Sequence, residues 1–388
     1  LPAEHDDPIE ERIARMHFGS ALSAEQRIEL EQLVREYEDV ISDVLRETSW
    51  TEMAIPTEGS NPVFVHQYPL SRHEQEQQRV EVARLVQLGV LERIAHSLWN
   101  SPQLLVEKKP LPDGQGGMLP AKWRVVADFR AVNERLSFTE SFPLPHIPTI
   151  MSSLKGCQFF SATDALHGYF AVPIKPADRH KTAVSVTAAD GSTERYQYRR
   201  MAMGLSSSAA IYQALMTRVC ARVPGCRPYL DDALLGHESF SEHKSALRAL
   251  FESCRAAGIT LKPAKMHLGH SEVKYLGMHI NRDGMALDES YVDALHKKPP
   301  PDGLKAAQRL VGALNWCRDH CVGFADKMRP IYDVIKPGTK WRKGGAAPTW
   351  GPAQEAARRA VMAGLEKRIR LAHPLRDGSG KMLLFCDA

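Results

Sequence analysis

The segment Tyr229-Leu230-Asp231-Asp232 constrains this chain more than any other. Pro228, Tyr229 and Leu230 lead into an acidic pair, and Ala233-Leu234-Leu235-Gly236 follows it. The pattern predicts an apolar strand, a two-residue acidic turn and a second apolar strand. Two carboxylates side by side at a tight turn are costly unless cations neutralise them. An adjacent pair alone carries little weight, since Asp6-Asp7 is another and has no evident role. A third carboxylate changes the reading: Asp164 closes the strand-like run Phe159-Phe160-Ser161-Ala162-Thr163-Asp164, 67 residues before Asp231. At the ends of neighbouring strands the three would converge, and could hold two divalent cations over a growing nucleic-acid end. One cation lowers the pKa of a 3′-hydroxyl; the other neutralises a triphosphate and its leaving pyrophosphate. Mg2+ suits such a site, because it takes a few carboxylates plus substrate oxygens rather than a full protein cage. Either motif alone would be better explained as solvated strand-end aspartates.

The 388 residues suffice for two or three domains. Charged residues at 25% and hydrophobic residues at 43% are ordinary for a globular chain and leave no run of membrane-spanning length. Seven cysteines without paired spacing argue against a disulfide framework. The net charge of +4 hides an asymmetry: residues 1–55 carry −9 and the remainder +13. A basic body suits a polyanionic partner, although on charge alone a solvated surface is the better explanation. The chain opens on Leu1 and stops just after Asp387 in an apolar run. This suggests a piece of a longer polyprotein, and an expression boundary would look the same.

Along the chain, Ser23 with Gln26 opens a helix carrying Leu30, Leu33, Val34 and Tyr37 on one stripe. Residues 48–70, with Pro56, Pro62 and Pro69, read as an extended linker. A second amphipathic helix runs from Glu74 towards Leu91, and Leu104–Val106 with Trp123–Val126 form a β-hairpin with a loose tip. Pro143, Pro145 and Pro148 mark a boundary. Ser206 is expected to cap a helix reaching Cys220, and a further helix spans Ser241 to Gly258. Val273 to Ile280 reads as two strands about a glycine turn, Lys297 to Pro301 as a hinge, and Leu304 to Trp316 as an amphipathic helix.

Candidate ligands surround the carboxylates. Arg124 could grip a triphosphate bidentately with Lys108 beside it, in a basic hairpin that also holds Lys109, Lys122 and Arg130; an exposed basic hairpin is the plainer explanation. Tyr169, five residues after Asp164 and beyond an expected turn at Gly168, would clash with a 2′-hydroxyl, or would be a core aromatic. Gly204 before a helix lets backbone approach a base pair, and Gln213 lies within that helix, where an exposed glutamine is ordinary. Cys317, His320 and Cys321 lack a second cluster and read as helix residues rather than zinc ligands.

Taken in order, several stretches resemble the reverse transcriptases of retroviruses and of gypsy-type LTR retrotransposons. They are Trp99-Asn100-Ser101-Pro102, Lys122 to Asn133, Phe160 to Asp164 with Gly168-Tyr169, and Met203-Gly204-Leu205 with Tyr212-Gln213. Tyr229 to Asp232, Leu261 to Lys265 and Tyr275-Leu276-Gly277 complete the series, over roughly residues 65–385. The resemblance implies an α+β right-hand polymerase of fingers, palm and thumb, with the start of a ribonuclease H-like domain. It implies an acidic spacer after a protease at 1–61, fingers at 62–145 with 172–203, and palm at 146–171 and 204–281. The thumb would be 282–340, and 341–388 a tether and first strand of a truncated ribonuclease H domain, with Asp387 its first catalytic aspartate.

By position, Asp164, Asp231 and Asp232 become the catalytic, metal-binding triad, with the Ala165 backbone as a further metal ligand. Lys108, Arg124, Tyr169 and Lys265 would bind dNTP; Met203, Gly204, Gln213, Tyr229, Leu230, Leu276, Gly277 and Met278 would contact template or primer. The implied cofactor is Mg2+, two ions, with Mn2+ as the alternative. The implied partners are an RNA or DNA primer–template, dNTPs, the rest of a Pol polyprotein and a further copy of the chain in a homo-oligomer, with no membrane. The implied location is a cytoplasmic virus-like particle or the nucleus. The expected activity is RNA- and DNA-directed DNA synthesis during retroelement replication. Met201-Ala202-Met203-Gly204 and Ala209-Ala210-Ile211-Tyr212-Gln213 depart from the usual Met-Pro-Phe-Gly and Pro-Ala-Thr-Phe-Gln, and Glu107 puts an acid beside Lys108. A decayed element that binds nucleic acid without turnover is one rival; the intact triad, Arg124 and Tyr169 weigh against it. An RNA-dependent RNA polymerase is another; Tyr169 and Tyr229 weigh against that.

Overall fold

The computed structural model describes residues 6–107, 123–336, 350–366 and 370–371. They divide into two compact units, one of Leu1–Pro145, Ser161–Leu235 and Phe240–Gly269, the other of His146–Phe160, Gly236–Ser239 and His270–Ala388. The first is built on a five-stranded sheet whose order is β1 (His17–Phe18), β10 (His267–His270), β5 (Phe159–Asp164), β9 (Asp232–His237) and β8 (Cys226–Tyr229). Strands β8 and β9 form the expected acidic hairpin, with Tyr229 paired to Asp232. Its turn is Leu230-Asp231, with Leu230 at φ 52°, so Asp232 belongs to the strand and not to the turn as the sequence suggested. The helices Ser208–Cys220 and Phe240–Ala257 bury Ile211, Leu215, Val219, Leu247, Leu250 and Phe251. The first of these starts at Ser208 after Ser207. Ser206 is not its cap: Ser207 holds the N-cap position without a side-chain capping bond, and the Ser206 amide is bound by the Asn133 side chain.

The other sheets are local. β2 (Leu91–Ile94), β7 (Thr193–Tyr198) and β6 (Val184–Thr187) form an antiparallel three-stranded sheet. β3 (Gln103–Glu107) and β4 (Trp123–Ala127) pair antiparallel, Glu107 opposite Trp123, as the expected hairpin. Its tip, with Lys108, Lys109 and Lys122, lies outside the described residues, as does Asp387. The helix Arg72–Gln87 begins two residues before the sequence reading, because Ser71 and Glu74 form a capping box. In the second unit, β11 (Glu272–Tyr275), β12 (Met278–Asn281) and β13 (Gly284–Leu287) form an antiparallel meander. Leu276 and Gly277, at φ 48° and 77°, are its first turn, where two consecutive positive φ values match the twist of the flanking strands. The helices Glu289–His296, Leu304–Asn315, Phe324–Ile335 and Pro352–Leu365 pack around Leu314, Met328, Ile331 and Val361.

The N-terminal segment expected to be a spacer and linker is part of the first unit's core. Leu30, Leu33, Val34, Val40, Ile41, Met53 and Ile55 are fully or almost fully buried there. β1 pairs in parallel with β10, and Met53 bridges Ile174. The physical reason is charge as well as apolar area: Glu29, Glu36 and Asp39 face Lys244, Arg248 and Arg255 on the helix Phe240–Ala257. The acidity that reads as solvated linker in sequence has basic partners more than 200 residues away. Gly258 marks the closeness of this packing, since a Cβ there would stand 2.5 Å from the Glu47 carbonyl. Arg12, itself buried, donates from Nη1 to the Glu38 carbonyl at 2.7 Å and to that of Ile41, and pairs with Asp6. Removing the guanidinium takes this donor from the part-buried Glu38 carbonyl and the buried Ile41 carbonyl, and leaves Asp6 with Ser42 and Asp43 but no cation. Arg12→Ala is therefore expected to lower unfolding stability by about 2–4 kcal/mol, read as a shift in urea midpoint with unchanged slope.

Candidate active site

The three carboxylates are positioned by backbone. The Ala165 amide donates to the Asp231 carbonyl at 2.9 Å, tying the end of β5 to the acidic turn. The Lys262 amide donates to the Asp164 carbonyl at 2.9 Å, and Leu261 bridges Ala165. Gln213 closes the third side. Its Oε1 accepts from the Leu230 amide at 2.7 Å, and its Nε2 donates to the Pro228 carbonyl at 3.3 Å. Gln213 was expected to meet template or primer from an exposed helix face; it is instead fully buried and clamps the turn that presents Asp231. Nothing in its own neighbourhood signals this, because the partner segment is 15–17 residues away.

Electrostatics at these groups follow from burial. Asp164 is mostly buried, and its pKa is raised by desolvation against the opposing pull of Lys265, whose Nζ lies 2.5 Å from Oδ2. Asp232 is pushed up to about 6, by burial first and then by the charges of Asp231 and Asp164. Asp231 is exposed. The carboxylates of Asp231 and Asp232 make no hydrogen bond or ion pair among the described residues. No group of three or more His, Cys, Asp or Glu among the described residues could hold a metal ion by itself. Burial, first, and neighbouring negative charge raise the pKa of Asp164 and Asp232, and a divalent cation between them would offset that penalty.

Tyr169 sits on a short 3-10 turn, Gly168–Ala171, entered through His167 at φ 48°. The left-handed residue is thus His167 and not Gly168. Gly168 is required for a different reason: a Cβ there would lie 2.9 Å from both Cζ and Oη of Tyr212. The Tyr169 and Tyr212 rings meet edge to face, with centroids 5.3 Å apart. Tyr169 also feels the Asp231 charge, which with burial raises its pKa. Arg124 is exposed on β4, and lines one cleft of about 70 Å3 with Val126, His167, Tyr169, Phe170 and Met203. Gly204, at φ 97°, is followed by Asn133 contacts: Asn133 donates to the Gly204 carbonyl at 2.8 Å and accepts from the Ser206 amide at 3.0 Å. Asn133 and Tyr212 are positioning residues that sequence reasoning missed. Tyr229 and Leu230 are half-buried beside the acidic turn. In the second unit, the Gly277 carbonyl accepts from the Asp288 amide at 3.1 Å, Met278 is buried, and Leu276 and Gly277 are half-buried.

The raised Asp232 pKa fixes a sign. The folded chain without divalent ions keeps that proton up to about pH 6, whereas the unfolded chain releases it near pH 4. The stability this group contributes is therefore complete below about pH 4 and lost as pH rises through 6. In chelator at pH 7, Asp232→Asn is expected to melt about 2–4 °C above the parent, after discounting the effect for solvent screening. The difference should vanish at pH 4, and differential scanning calorimetry across that range checks it.

Residues 106–280 match the family described as "Reverse transcriptase (RNA-dependent DNA polymerase)". The chain is 26% identical over 338 residues to the retrovirus-related Pol polyprotein of transposon opus from Drosophila melanogaster, covering 87% of this chain and 31% of that protein. To the Pol polyprotein of transposon gypsy from the same organism it is 29% identical over 314 residues, covering 78% and 29%. The chain thus spans about a third of the length of these relatives. A foamy viral protease-reverse transcriptase solved with double-stranded DNA has the same fold, with a TM-score of 0.79 at 22% identity, covering 96% of this chain and 62% of that one. Over residues 106–280 the chain is thus similar to the reverse transcriptase family, and over most of its length to the Pol polyproteins of the transposons opus and gypsy.

Proposed function

We propose that this chain is an RNA- and DNA-directed DNA polymerase that extends a primer 3′-hydroxyl with dNTPs during retroelement replication. The observation that carries the reading is the convergence of Asp164 and Asp231, joined by the Ala165–Asp231 hydrogen bond, with Tyr169 close enough to feel the Asp231 charge. Mg2+, or Mn2+, held by Asp164, Asp231 and Asp232 with the Ala165 carbonyl, would supply the charge that acidifies the primer hydroxyl and neutralises pyrophosphate. The chain's own residues do the positioning. Arg124 reaches the cleft as a bidentate donor for the triphosphate. The Tyr169 ring, propped by Tyr212, fills the space a 2′-hydroxyl would need. Met203 is exposed at the same cleft, where a template base or incoming nucleobase would stack. The turn Leu276-Gly277 would meet primer backbone.

By this reading the palm comprises 146–171 and 204–281, flanked by fingers at 62–145 with 172–203 and a thumb at 282–340. The rest of a Pol polyprotein, including the body of a ribonuclease H domain, would be the natural companion of this segment, in a virus-like particle. No helix among the described residues is long and apolar enough to cross a membrane.

On oligo(dT)-primed poly(rA) with Mg2+, the parent is expected to incorporate dTTP, and Asp231→Asn to lose on the order of a thousandfold. Primer–template binding without turnover in the parent would instead favour a decayed polymerase. Tyr169→Ala should relax the preference for dNTP over rNTP by roughly 10–100-fold, measured as the ratio of kcat/KM values. An unchanged ratio would remove the sugar gate from the reading.

A further inference from the structure

Lys265 is held more firmly than an exposed lysine needs to be. It ends a 3-10 turn, Pro263–Lys265, in which Pro263 is buried and the Lys265 amide donates to the Lys262 carbonyl at 3.1 Å. On one side Leu261 bridges Ala165 and Ile41, and the Lys262 amide holds the Asp164 carbonyl. On the other, Met266 is fully buried and its carbonyl accepts from His17 at 2.9 Å. The base of the side chain is fixed, while 55% of the side chain itself is exposed and can swing. From that base Nζ reaches Asp164 Oδ2 at 2.5 Å. The distribution of cations is uneven: Asp164 has this partner, whereas the Asp231 and Asp232 carboxylates pair with nothing among the described residues.

We infer that Lys265 is a tethered counter-ion which occupies Asp164 when no divalent cation is bound, and which a divalent cation must displace. This rests on the reading of the triad as a metal site. Two cations at contact distance from one carboxylate oxygen repel strongly, so binding of the ion at Oδ2 works against the Lys265–Asp164 contact. The displaced ammonium, anchored through a four-carbon stem, is then free for the polyphosphate that arrives with the metal. One side chain serves two anions in turn. It limits carboxylate repulsion in the unloaded site and weakens ion binding there until substrate oxygens contribute.

The consequence has an unusual sign. Neutralising Lys265 removes a competitor, so Lys265→Gln should bind Mn2+ more tightly than the parent, by roughly three- to tenfold given the exposure of the pair. The binding is read without turnover, from the free-ion electron paramagnetic resonance signal during titration of the full chain. Lys265→Arg keeps the charge and should stay near the parent value. In chelator Lys265→Gln should melt below the parent, and the deficit should close as Mn2+ is added. An Mn2+ affinity in Lys265→Gln equal to or weaker than the parent's, with Asp231→Asn clearly weakened, overturns the inference and leaves the metal site standing. Mn2+ binding that Asp231→Asn does not alter sinks the metal-site reading itself. If Lys265→Gln is too unstable to titrate, failure of Mn2+ to restore its melting temperature also overturns the inference.

Discussion

The hydrogen bond from the Ala165 amide to the Asp231 carbonyl is the contact on which the site depends. It joins the end of β5 to the turn between β8 and β9, and so brings together carboxylates that repel one another. A single backbone bond contributes about 1 kcal/mol net, too little to hold such a cluster alone. The rest comes from behind the strands, where Phe160, Ala233, Leu234 and Leu235 are fully or almost fully buried. Gln213 then fixes the left-handed Leu230 through its amide, a conformation that a branched residue adopts only when its surroundings impose it. The raised pKa values of Asp164 and Asp232 are the trace of this arrangement: the fold holds the charges in place, and their environment opposes ionisation.

The N-terminal segment extends the same logic to the first unit as a whole. Its net charge of −9 over residues 1–55 is placed partly against the basic residues of the helix Phe240–Ala257. Exposed pairs of this kind stabilise little individually, and the apolar contacts of Leu33, Val34 and Ile41 hold the segment down. What the pairs do is consume positive charge on one helix. The rest of the +13 carried by residues 56–388 lies outside these three pairs.

What could be read from the sequence was what is local. The acidic hairpin, the Leu276-Gly277 turn, the β3–β4 hairpin and the capping box at Ser23 all declare themselves within a few residues, through alternation, turn chemistry or spacing. The convergence of Asp164 with Asp231 and the roles of Arg124 and Tyr169 are candidates from strand ends and residue type, reinforced by the resemblance to reverse transcriptases. The structure ties Asp164's strand to Asp231 and sets Arg124 and Tyr169 on one cleft. The misses are non-local. Gln213 looks like any helical glutamine until the turn it clamps is known. Ser206 looks like a cap until Asn133, 73 residues earlier, takes its amide. The N-terminal segment looks like linker because its basic partners are distant, and the partner of Lys265 stands 101 residues before it.

Tyr212 shows how the turn that carries Tyr169 is coupled to the packing of the core. Its hydroxyl is completely buried and finds no hydrogen-bond partner among the described residues, a condition that costs roughly 1–3 kcal/mol. The charges of Asp231 and Asp164 add to burial in keeping that phenol protonated. The ring nevertheless presses against the backbone of Gly168 so closely that no other residue fits there, and meets Tyr169 edge to face. A phenylalanine would make the same ring contact without the orphaned hydroxyl. The hydroxyl's one evident structural effect is bulk beneath the Gly168–Ala171 turn, which keeps that turn, and the Tyr169 ring on it, from settling inward. If Tyr169 gates the sugar as proposed, the position of its ring rests on steric support from this core, through Tyr212 and the Gly168–Ala171 turn.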